Sequence, residues 1–375
     1  ADDRAHAPPH GAIALASLAW CRLLAESAGL ATLDAPDPAQ RGRTVLLRAL
    51  HADRPGLAKV LLDLGANALA KDDDGKDCQE LAANIKDDKA RSELAARCKA
   101  AKDEFGCFRV TGQDGQERVL EFEEDLTAHS SMTSAVSRAK DVKTEERKKL
   151  AVKFMHEFEQ YEKEIQMRQL GGKKQLSSSC VVQILDHCVL EEGDLARQAD
   201  ICAKRNPKAD VIRTFGKHIL VMERGERDLA DIIAHDFVAG VDKAKAAQIG
   251  RRMAECLLQL ERAKRIHGDV KPRNAMEFRE LLEALIRLID LDASANHGDT
   301  AGLKWSSAFS PPELAALICE YEELPTTERP AWEEYLRSLP EGKRVLAATT
   351  FDVWSFGIIL SEMDTRRKPY AEKLE

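Results

Sequence analysis

No stretch of this sequence is apolar over enough residues to cross a membrane. The longest apolar run, from Gly11 to Leu24, is short and rich in alanine, whereas a spanning helix needs about 20 apolar residues. The run also lacks the basic flank of a signal peptide. The chain begins with Ala1 rather than methionine, so a leader ahead of it stays an open alternative. We therefore expect no membrane segment within the sequence.

An excess of positive charge is missing as well. The 56 Lys and Arg residues are outnumbered by 64 Asp and Glu residues, and the net charge is −8. Proteins that bind nucleic acids carry a basic patch or stripe, and the short run Arg147–Lys149 is more typical of a solvated turn. The sequence predicts no nucleic-acid partner.

Closely spaced cysteine pairs are also absent. The nine cysteines are scattered singly, without a CxxC motif, which argues against a zinc site. An odd number of cysteines in a long chain is typical of reduced thiols. These features predict a cytoplasmic protein, with the nucleus as the alternative compartment.

Two segments within the first hundred residues are alike. Gly42–Leu47 and Gly75–Leu81 begin 33 residues apart. Between them, an apolar helix edge formed by three leucines ends at Gly65, a residue free to adopt the positive φ of a helix end. The period and the Gly-Ala-Asn turn resemble ankyrin repeats, with residues 10–33 as a degenerate third unit. The alternative is a generic helical hairpin.

Because ankyrin units bury their apolar faces only by stacking, this resemblance implies a short all-α stack over residues 1–100. It also implies a protein partner bound through the repeats. No residue in this part suggests catalytic chemistry.

From about Cys107 the pattern changes to short strand-like pieces followed by long helices. The expected strands are Phe108–Val110, Arg118–Phe122, Leu150–Phe154, Val181–Leu185 and His218–Met222. Long helices are expected at Asp242–Ala263 and Asp352–Met363. A strand-rich block before a helix-rich block predicts an α+β fold with two lobes.

The most specific string of the chain is IHGDVKPRN, residues Ile266–Asn274. It closely resembles the catalytic loop of eukaryotic protein kinases, and Lys271-Pro272 resembles the Ser/Thr branch of that family. The resemblance implies that Asp269 orients the acceptor hydroxyl and that Lys271 steadies the γ-phosphate. Asn274 would hold one Mg²⁺ ion.

Asp290 lies at the position of the family's Asp-Phe-Gly motif, where the aspartate is a second Mg²⁺ ligand. The tripeptide here reads Asp290-Leu291-Asp292. Aspartate in place of glycine departs from the family, because glycine supplies backbone freedom at that turn. The resemblance therefore implies metal ligands at Asn274 and Asp290, with Asp292 as an anomaly.

The ATP phosphates would be met by the strand Leu150–Lys153, which resembles the family's Ala-x-Lys strand. Its lysine, Lys153, would contact the α- and β-phosphates. A glutamate on the next helix would hold this lysine, and Glu164 is the first choice, with Glu162 and Glu159 as rivals.

The adenine would be bound by an apolar slot and a backbone hinge. HILVMERGERDL, residues His218–Leu229, resembles the last strand of the small lobe and the hinge. The resemblance implies the following adenine-binding residues: Val136, Ala151, Met222, Glu223, Gly225 and Met276.

Glycine is scarce where the family has its phosphate-binding loop. Ser130, Ser131, Thr133 and Ser134 stand roughly where the glycines are expected. Gly268 replaces the catalytic-loop arginine that reads an activation-segment phosphate in the family. We therefore expect that the serines at positions 306, 307 and 310 can be replaced with little loss of activity.

The end of the chain offers two more strings. Pro311-Pro312-Glu313 resembles the end of an activation segment, and FDVWSFG, from Phe351, resembles the helix that anchors the large lobe. Asp352 would hydrogen-bond the catalytic-loop backbone. The insertion at residues 319–348 has no assignment. Because the chain ends soon after this helix, we expect the kinase-like domain, residues 107–375, to be cut short.

The sequence thus predicts a Ser/Thr protein kinase that uses ATP and Mg²⁺, preceded by ankyrin repeats. Two alternatives are a pseudokinase that binds nucleotide weakly or not at all, and a pure adaptor.

Overall fold

A computed structural model describes residues 34–113, 115–124, 129–130, 133–170, 175–191, 193–236, 238, 240–280, 283–304 and 306–365. The expected degenerate repeat at residues 10–33 lies outside these ranges, as does Ser131. Within them, no helix combines the length and the apolarity needed to cross a membrane.

The N-terminal part consists of two helix pairs. They are α1 (Val45–His51) with α2 (Pro55–Asp63), and α3 (Cys78–Ala82) with α4 (Asp88–Glu104). The starts of α1 and α3, and of α2 and α4, are 33 residues apart in each case. Thr44 caps α1, and Asp77 caps α3 in a reciprocal bond pattern with Glu80, which satisfies N–H groups that the helix itself leaves free.

Two hydrogen bonds between the connecting turns of this part also span 33 residues. Asp34 Oδ1 accepts a hydrogen bond from the Asn67 amide at 2.6 Å, and Asp53 Oδ1 accepts one from Lys86 at 3.3 Å. The leucines of all four helices form one buried core. The period read from the sequence is therefore also the structural period of this part.

A curved antiparallel sheet follows. Its strands are β1 (Phe108–Thr111), β2 (Glu117–Phe122), β3 (His129–Ser130), β4 (Ser134–Asp141), β5 (Lys149–Met155), β6 (Ile184–Val189) and β7 (His218–Glu223). Their order is β1-β2-β4-β5-β7-β6, and β3 pairs with β4. The edge strands β1 and β6 contact each other, and Arg118 of the neighbouring β2 pairs with Asp186 of β6, so the two edges of the sheet come close together.

The two faces of the sheet have different neighbours, because side chains alternate along a strand. One face packs against a segment between β6 and β7 that contains α6 (Asp194–Ala203) and a 3₁₀ turn. Phe154 on this face contacts Phe108 and Phe215, with ring centroids 5.6 and 5.1 Å apart. The opposite face packs against α5 (Phe158–Gln166). The sequence analysis missed both the covering segment and strand β4.

Arg205, between α6 and the 3₁₀ turn of this covering segment, joins the sheet to the helix pairs. It donates hydrogen bonds to the carbonyls of Asp103 and Phe105, both at 3.2 Å, and forms an ion pair with Glu121. These carbonyls belong to the C-terminal end of α4, where the helix leaves acceptors without partners. Helix α4 therefore connects the two parts directly.

The C-terminal part is mostly helical. Its helices are α7 (Leu229–His235), α8 (Lys243–Arg262), α9 (Pro312–Glu322), α10 (Trp332–Ser338) and α11 (Thr349–Thr365). Short strands lie between them: β8 (Arg227–Asp228), β9 (Arg265–Ile266), β10 (Ala275–Glu280), β11 (Glu283–Leu288) and β12 (Ala295–Asn296). Helix α8 packs against α11 and β11 around a shared apolar core.

The unassigned insertion folds onto this part. Tyr321 of α9 contacts the rings of Trp332 edge-on and of Tyr335 at a tilt. The indole N–H of Trp332 donates to the Gly302 carbonyl at 2.7 Å. The aromatic cluster explains why the segment is ordered despite its acidic, proline-rich sequence.

Candidate functional site

Asp352 of α11 binds the backbone of the loop between β9 and β10. Its carboxylate accepts hydrogen bonds from the backbone N–H groups of His267 at 2.6 Å and Gly268 at 3.0 Å. This is the contact that the sequence led us to expect. Burial raises the pKa of the Asp352 carboxyl, and the two N–H groups oppose that rise.

Asp269 lies at the centre of a polar cluster in this loop. Lys271 Nζ is 2.6 Å from its Oδ2, and the Asn274 amide donates to the same oxygen at 3.0 Å. Ser306 donates its hydroxyl hydrogen to Oδ1 at 2.8 Å. The three residues of the predicted catalytic loop are therefore joined by direct hydrogen bonds.

Ser306 was not among the predicted site residues. It also accepts a hydrogen bond from Lys271 Nζ at 2.9 Å, so it links Lys271 to Asp269. Because Ser306 lies 37 residues from Asp269, no local pattern pointed to this contact.

Lys153 of β5 lies among three carboxylates. Its Nζ is 3.6 Å from Glu164 Oε1 and 3.8 Å from Asp292 Oδ2, and it forms a close ion pair with Asp290. Burial alone would lower the pKa of Lys153, but the three carboxylates raise it above its usual range. Of the three glutamates considered from the sequence, Glu164 is the one that pairs with Lys153.

Glu164 is itself held by a residue that the sequence analysis missed. Arg168, one helical turn on, reaches Glu164 Oε1 at 3.2 Å and donates to its backbone carbonyl at 2.6 Å. Arg168 also donates to the Val182 carbonyl at 2.9 Å. Because Glu164 is 0% exposed, these bonds fix its carboxylate beside Lys153.

Asp292 takes part in this cluster rather than disturbing it. It lies in the 3₁₀ turn Leu291–Ala293, whereas the left-handed backbone of this region falls on Asp290, with φ 65° and ψ 69°. The backbone freedom that we attributed to position 292 is therefore needed two residues earlier, at Asp290. Aspartate is among the residues that tolerate this region best. Asp292 also forms an ion pair with Lys304, and burial together with Asp290 raises its pKa.

The donor chemistry of this cluster fits a hard divalent cation. Carboxylate oxygens of Glu164, Asp290 and Asp292 lie within 4.8 Å of one another, and Mg²⁺ prefers oxygen ligands. The Asp290 side chain is 33% exposed. Burial would raise its pKa, but the Lys153 ammonium holds it well below the usual range. Asp290 therefore stays ionised and reachable from solvent.

Asn274 is the other predicted metal ligand, and its backbone is hydrogen-bonded to the residue that precedes Asp290. Its carbonyl accepts a hydrogen bond from the amide of Ile289 at 3.0 Å, directly before Asp290. Its side-chain amide is turned toward Asp269. The three-carboxylate group thus includes Asp290 but not Asn274.

Three of the predicted adenine-binding residues, Val136, Ala151 and Met222, lie on one face of the sheet. Val136 is paired with Lys153, and Ala151 is paired with Met222, and residues opposite each other in adjacent strands point to the same side. This is the face that packs against α5.

The hinge residues lie at the end of this face. A Cβ atom on Gly225 would come within 2.9 Å of Met276, so Gly225 and Met276 are packed together. Glu223 directs its carboxylate to Lys148 at 3.2 Å and Arg287 at 2.9 Å.

Comparisons with known proteins do not assign this arrangement. No known protein-family profile matches the chain, and no curated protein sequence matches it.

Proposed function

We propose that this chain is a Ser/Thr protein kinase that transfers the γ-phosphate of ATP to a protein hydroxyl. The observation that carries the proposal is the ion pair between Lys153 of the sheet and Asp290 of the helical part, 137 residues apart in sequence. Together with the Asp269 cluster, it brings a phosphate-binding cation, a metal-binding carboxylate and a hydroxyl-orienting carboxylate into one fold.

The local architecture supports this proposal. Protein kinases hold ATP with a strand lysine that pairs with a glutamate of the following helix. Here Lys153 lies on β5, and Glu164 lies on α5, which follows β5 directly. Phosphoryl transfer relies on positioning and on neutralising charge, and both need side chains that are fixed in place.

Each residue has a role under this proposal. Lys153 binds the α- and β-phosphates, and Glu164 orients it. Asp269 accepts a hydrogen bond from the substrate hydroxyl and orients it for attack. Lys271 meets negative charge on the transferred phosphoryl group. Asp290, with Asn274 or Asp292 beside it, would hold Mg²⁺, which neutralises the triphosphate charge when bound.

The helix pairs would bind a protein partner. Their 33-residue period, and the hydrogen bonds that join turns 33 residues apart, support an ankyrin-type stack. Such stacks present an extended surface to other proteins, and we propose the same use here, in a cytoplasmic or nuclear protein.

A pseudokinase is the second candidate. Two observations favour it: hydroxyl residues replace the glycines expected around Ser130 and Ser134, and three carboxylates engage Lys153. Both features would weaken the hold on ATP phosphates.

The deciding experiment follows transfer of labelled γ-phosphate from Mg·ATP to a Ser/Thr peptide library and measures nucleotide binding separately. We expect transfer by the unaltered protein. Asp269→Asn should lower it at least about 100-fold with nucleotide affinity nearly unchanged, because Asp269 faces the acceptor. The exposed Asp364 of α11 provides a matched control, since Asp364→Asn should have no effect. Binding without transfer to any peptide would favour the pseudokinase, and absence of binding would favour the adaptor.

A further inference from the structure

Arg287 of β11 is a charged side chain enclosed in the interior of the protein. It is 2% exposed, and its guanidinium carbon lies 4.7 Å from the ring centre of Phe278 on β10. Burying a charged group is costly unless an opposite charge or hydrogen bonds compensate it. The position of Arg287 therefore calls for a partner that keeps the ion in place.

One such partner is Glu223, the last residue of β7. Arg287 Nη1 lies 2.9 Å from Glu223 Oε2, and Lys148 Nζ lies 3.2 Å from Oε1 of the same carboxylate. The Lys148 side chain is 48% exposed, whereas that of Arg287 is 2% exposed. Because ion pairs in contact with water are weak, the buried Arg287 is the cation that restrains Glu223 more firmly.

Glu223 begins the predicted hinge, and Arg287 lies beside the predicted adenine slot. Met276 is paired with Arg287 across β10 and β11, so the two side chains leave the same face of this strand pair. Met276 and Phe278 also pack in one apolar cluster with Met222, another predicted wall of the slot. The buried guanidinium thus connects the wall of the slot to the hinge.

We propose that Arg287 is a positioning residue that makes this site prefer adenine over 6-oxo purines, an inference that rests on the proposed ATP-dependent function. In the proposed site the 6-amino group of adenine donates a hydrogen bond to the backbone carbonyl of Glu223. A 6-oxo purine brings a carbonyl oxygen to the same place, where two acceptors would face each other with no hydrogen between them. Such an analogue is rejected only while the acceptor keeps its direction. By holding the Glu223 side chain, Arg287 limits the turn of that peptide group.

The test measures the dissociation constants of Mg·ATP and Mg·ITP for the full chain by isothermal titration calorimetry. ITP keeps the triphosphate and the ribose and carries oxygen in place of the 6-amino group. We expect the unaltered protein to bind ATP at least about tenfold more tightly than ITP, which is the effect of one hydrogen bond. Arg287→Met should lower this preference at least about fivefold. A merely structural role would weaken the binding of both nucleotides equally and leave the preference unchanged.

Two single variants provide the controls. Lys148→Met removes the exposed cation from the same carboxylate and should change the preference by less than about twofold. Arg287→Lys keeps a positive charge beside Glu223 but loses the planar fork of donors, so we expect an intermediate preference. Equal effects of Arg287→Met and Lys148→Met would contradict the proposal, because the charge near Glu223 rather than the buried contact would then set the preference.

A double variant keeps the test independent of folding. Arg287→Met alone leaves Glu223 without its buried partner, whereas Arg287→Met combined with Glu223→Gln removes both charges and leaves no uncompensated buried ion. We expect the double variant to fold and to lose the preference for ATP. The proposal is wrong if either variant binds ATP and keeps the preference of the unaltered protein. An unaltered protein that binds neither nucleotide would instead refute the proposed function, and this inference with it.

Discussion

Ser306 and Asp269 are joined by a hydrogen bond of 2.8 Å in which the serine hydroxyl is the donor. The same hydroxyl accepts from Lys271 Nζ at 2.9 Å. A single oxygen therefore connects the segment after Asp290 to the two charged residues of the predicted catalytic loop. The sequence had led us to expect that Ser306, Ser307 and Ser310 could be replaced with little loss, and this contact gives the opposite expectation for Ser306.

Replacing Ser306 with alanine should lower phosphotransfer by about tenfold or more, which corresponds to about 1.4 kcal/mol in the barrier. The reason is that Asp269 and Lys271 lose the hydroxyl that positions both. Ser306→Thr should retain most activity, because it keeps the hydroxyl. The Ser310 hydroxyl donates to the Ser306 carbonyl at 3.1 Å rather than to Asp269 or Lys271, so Ser310→Ala serves as the control in steady-state kinetics. Equal losses for both alanine variants would point to the segment's conformation instead.

Lys153→Met should destabilise the fold strongly. It leaves the buried carboxylates of Glu164 and Asp292 without their shared cation, and breaking a buried ion pair on one side costs about 3–5 kcal/mol. Lys149 lies on the same strand but is exposed, so Lys149→Met should change the free energy of unfolding by less than about 0.5 kcal/mol. Urea unfolding compares the two. Similar values for both variants would mean that Lys153 does not balance the cluster.

Gly268→Ala should be far more costly than Gly298→Ala. Both glycines have positive φ, 82° and 89°, but a Cβ on Gly268 would come within 2.4 Å of the Ala293 carbonyl, whereas Gly298 faces open space. Gly298→Ala should cost about 1–2 kcal/mol from backbone strain alone, and Gly268→Ala about 1–3 kcal/mol more from the clash. Thermal unfolding of both variants measures the difference. The same clash explains why arginine cannot replace glycine at this position without a backbone shift.

The contribution of Asp236 to stability should disappear in acid. Arg227 binds both of its oxygens, at 2.6 and 2.8 Å, and Lys245 binds one at 2.7 Å. These cations hold the pKa of Asp236 well below its usual range. Because the folded state has the lower pKa, this stabilisation is complete above the unfolded value of about 3.9 and is lost as pH falls through the folded pKa.

Asp236→Asn should therefore lower the free energy of unfolding at pH 7, and its difference from the unaltered protein should shrink below about pH 4. Asp364→Asn, an exposed replacement at the end of α11, provides the control at each pH. A difference that stays constant from pH 7 to pH 2 in urea titrations would contradict the assignment.

Local features of the structure could be predicted from the sequence. The 33-residue helix period, the strand that carries Lys153, and the loop that brings Lys271 and Asn274 to Asp269 each leave a recognisable pattern of residue types in the sequence. In each case a few residue types at fixed spacing determine the geometry, because capping bonds and short turns span only a few residues. The strand boundaries agree within a few residues, except that β6 begins at Ile184 rather than Val181.

The candidate site itself was decided by the tertiary structure. The sequence alone left three glutamates as partners of Lys153, because the face that α5 turns toward β5 depends on packing rather than on spacing. Asp292 departs from the family pattern in the sequence, and the structure places two cations, Lys153 and Lys304, beside its carboxylate.

Other features also depended on distant parts of the chain. The contact of Ser306 with Asp269, and the segment between β6 and β7 that covers one face of the sheet, each bring together residues far apart in sequence. By itself, then, the sequence determined the helix period, the approximate positions of β1, β2, β5, β6 and β7, and the loop that joins Asp269 to Lys271 and Asn274. Only the tertiary structure decided which charges share a buried space, because burial is what makes ions that are distant in sequence pair with one another.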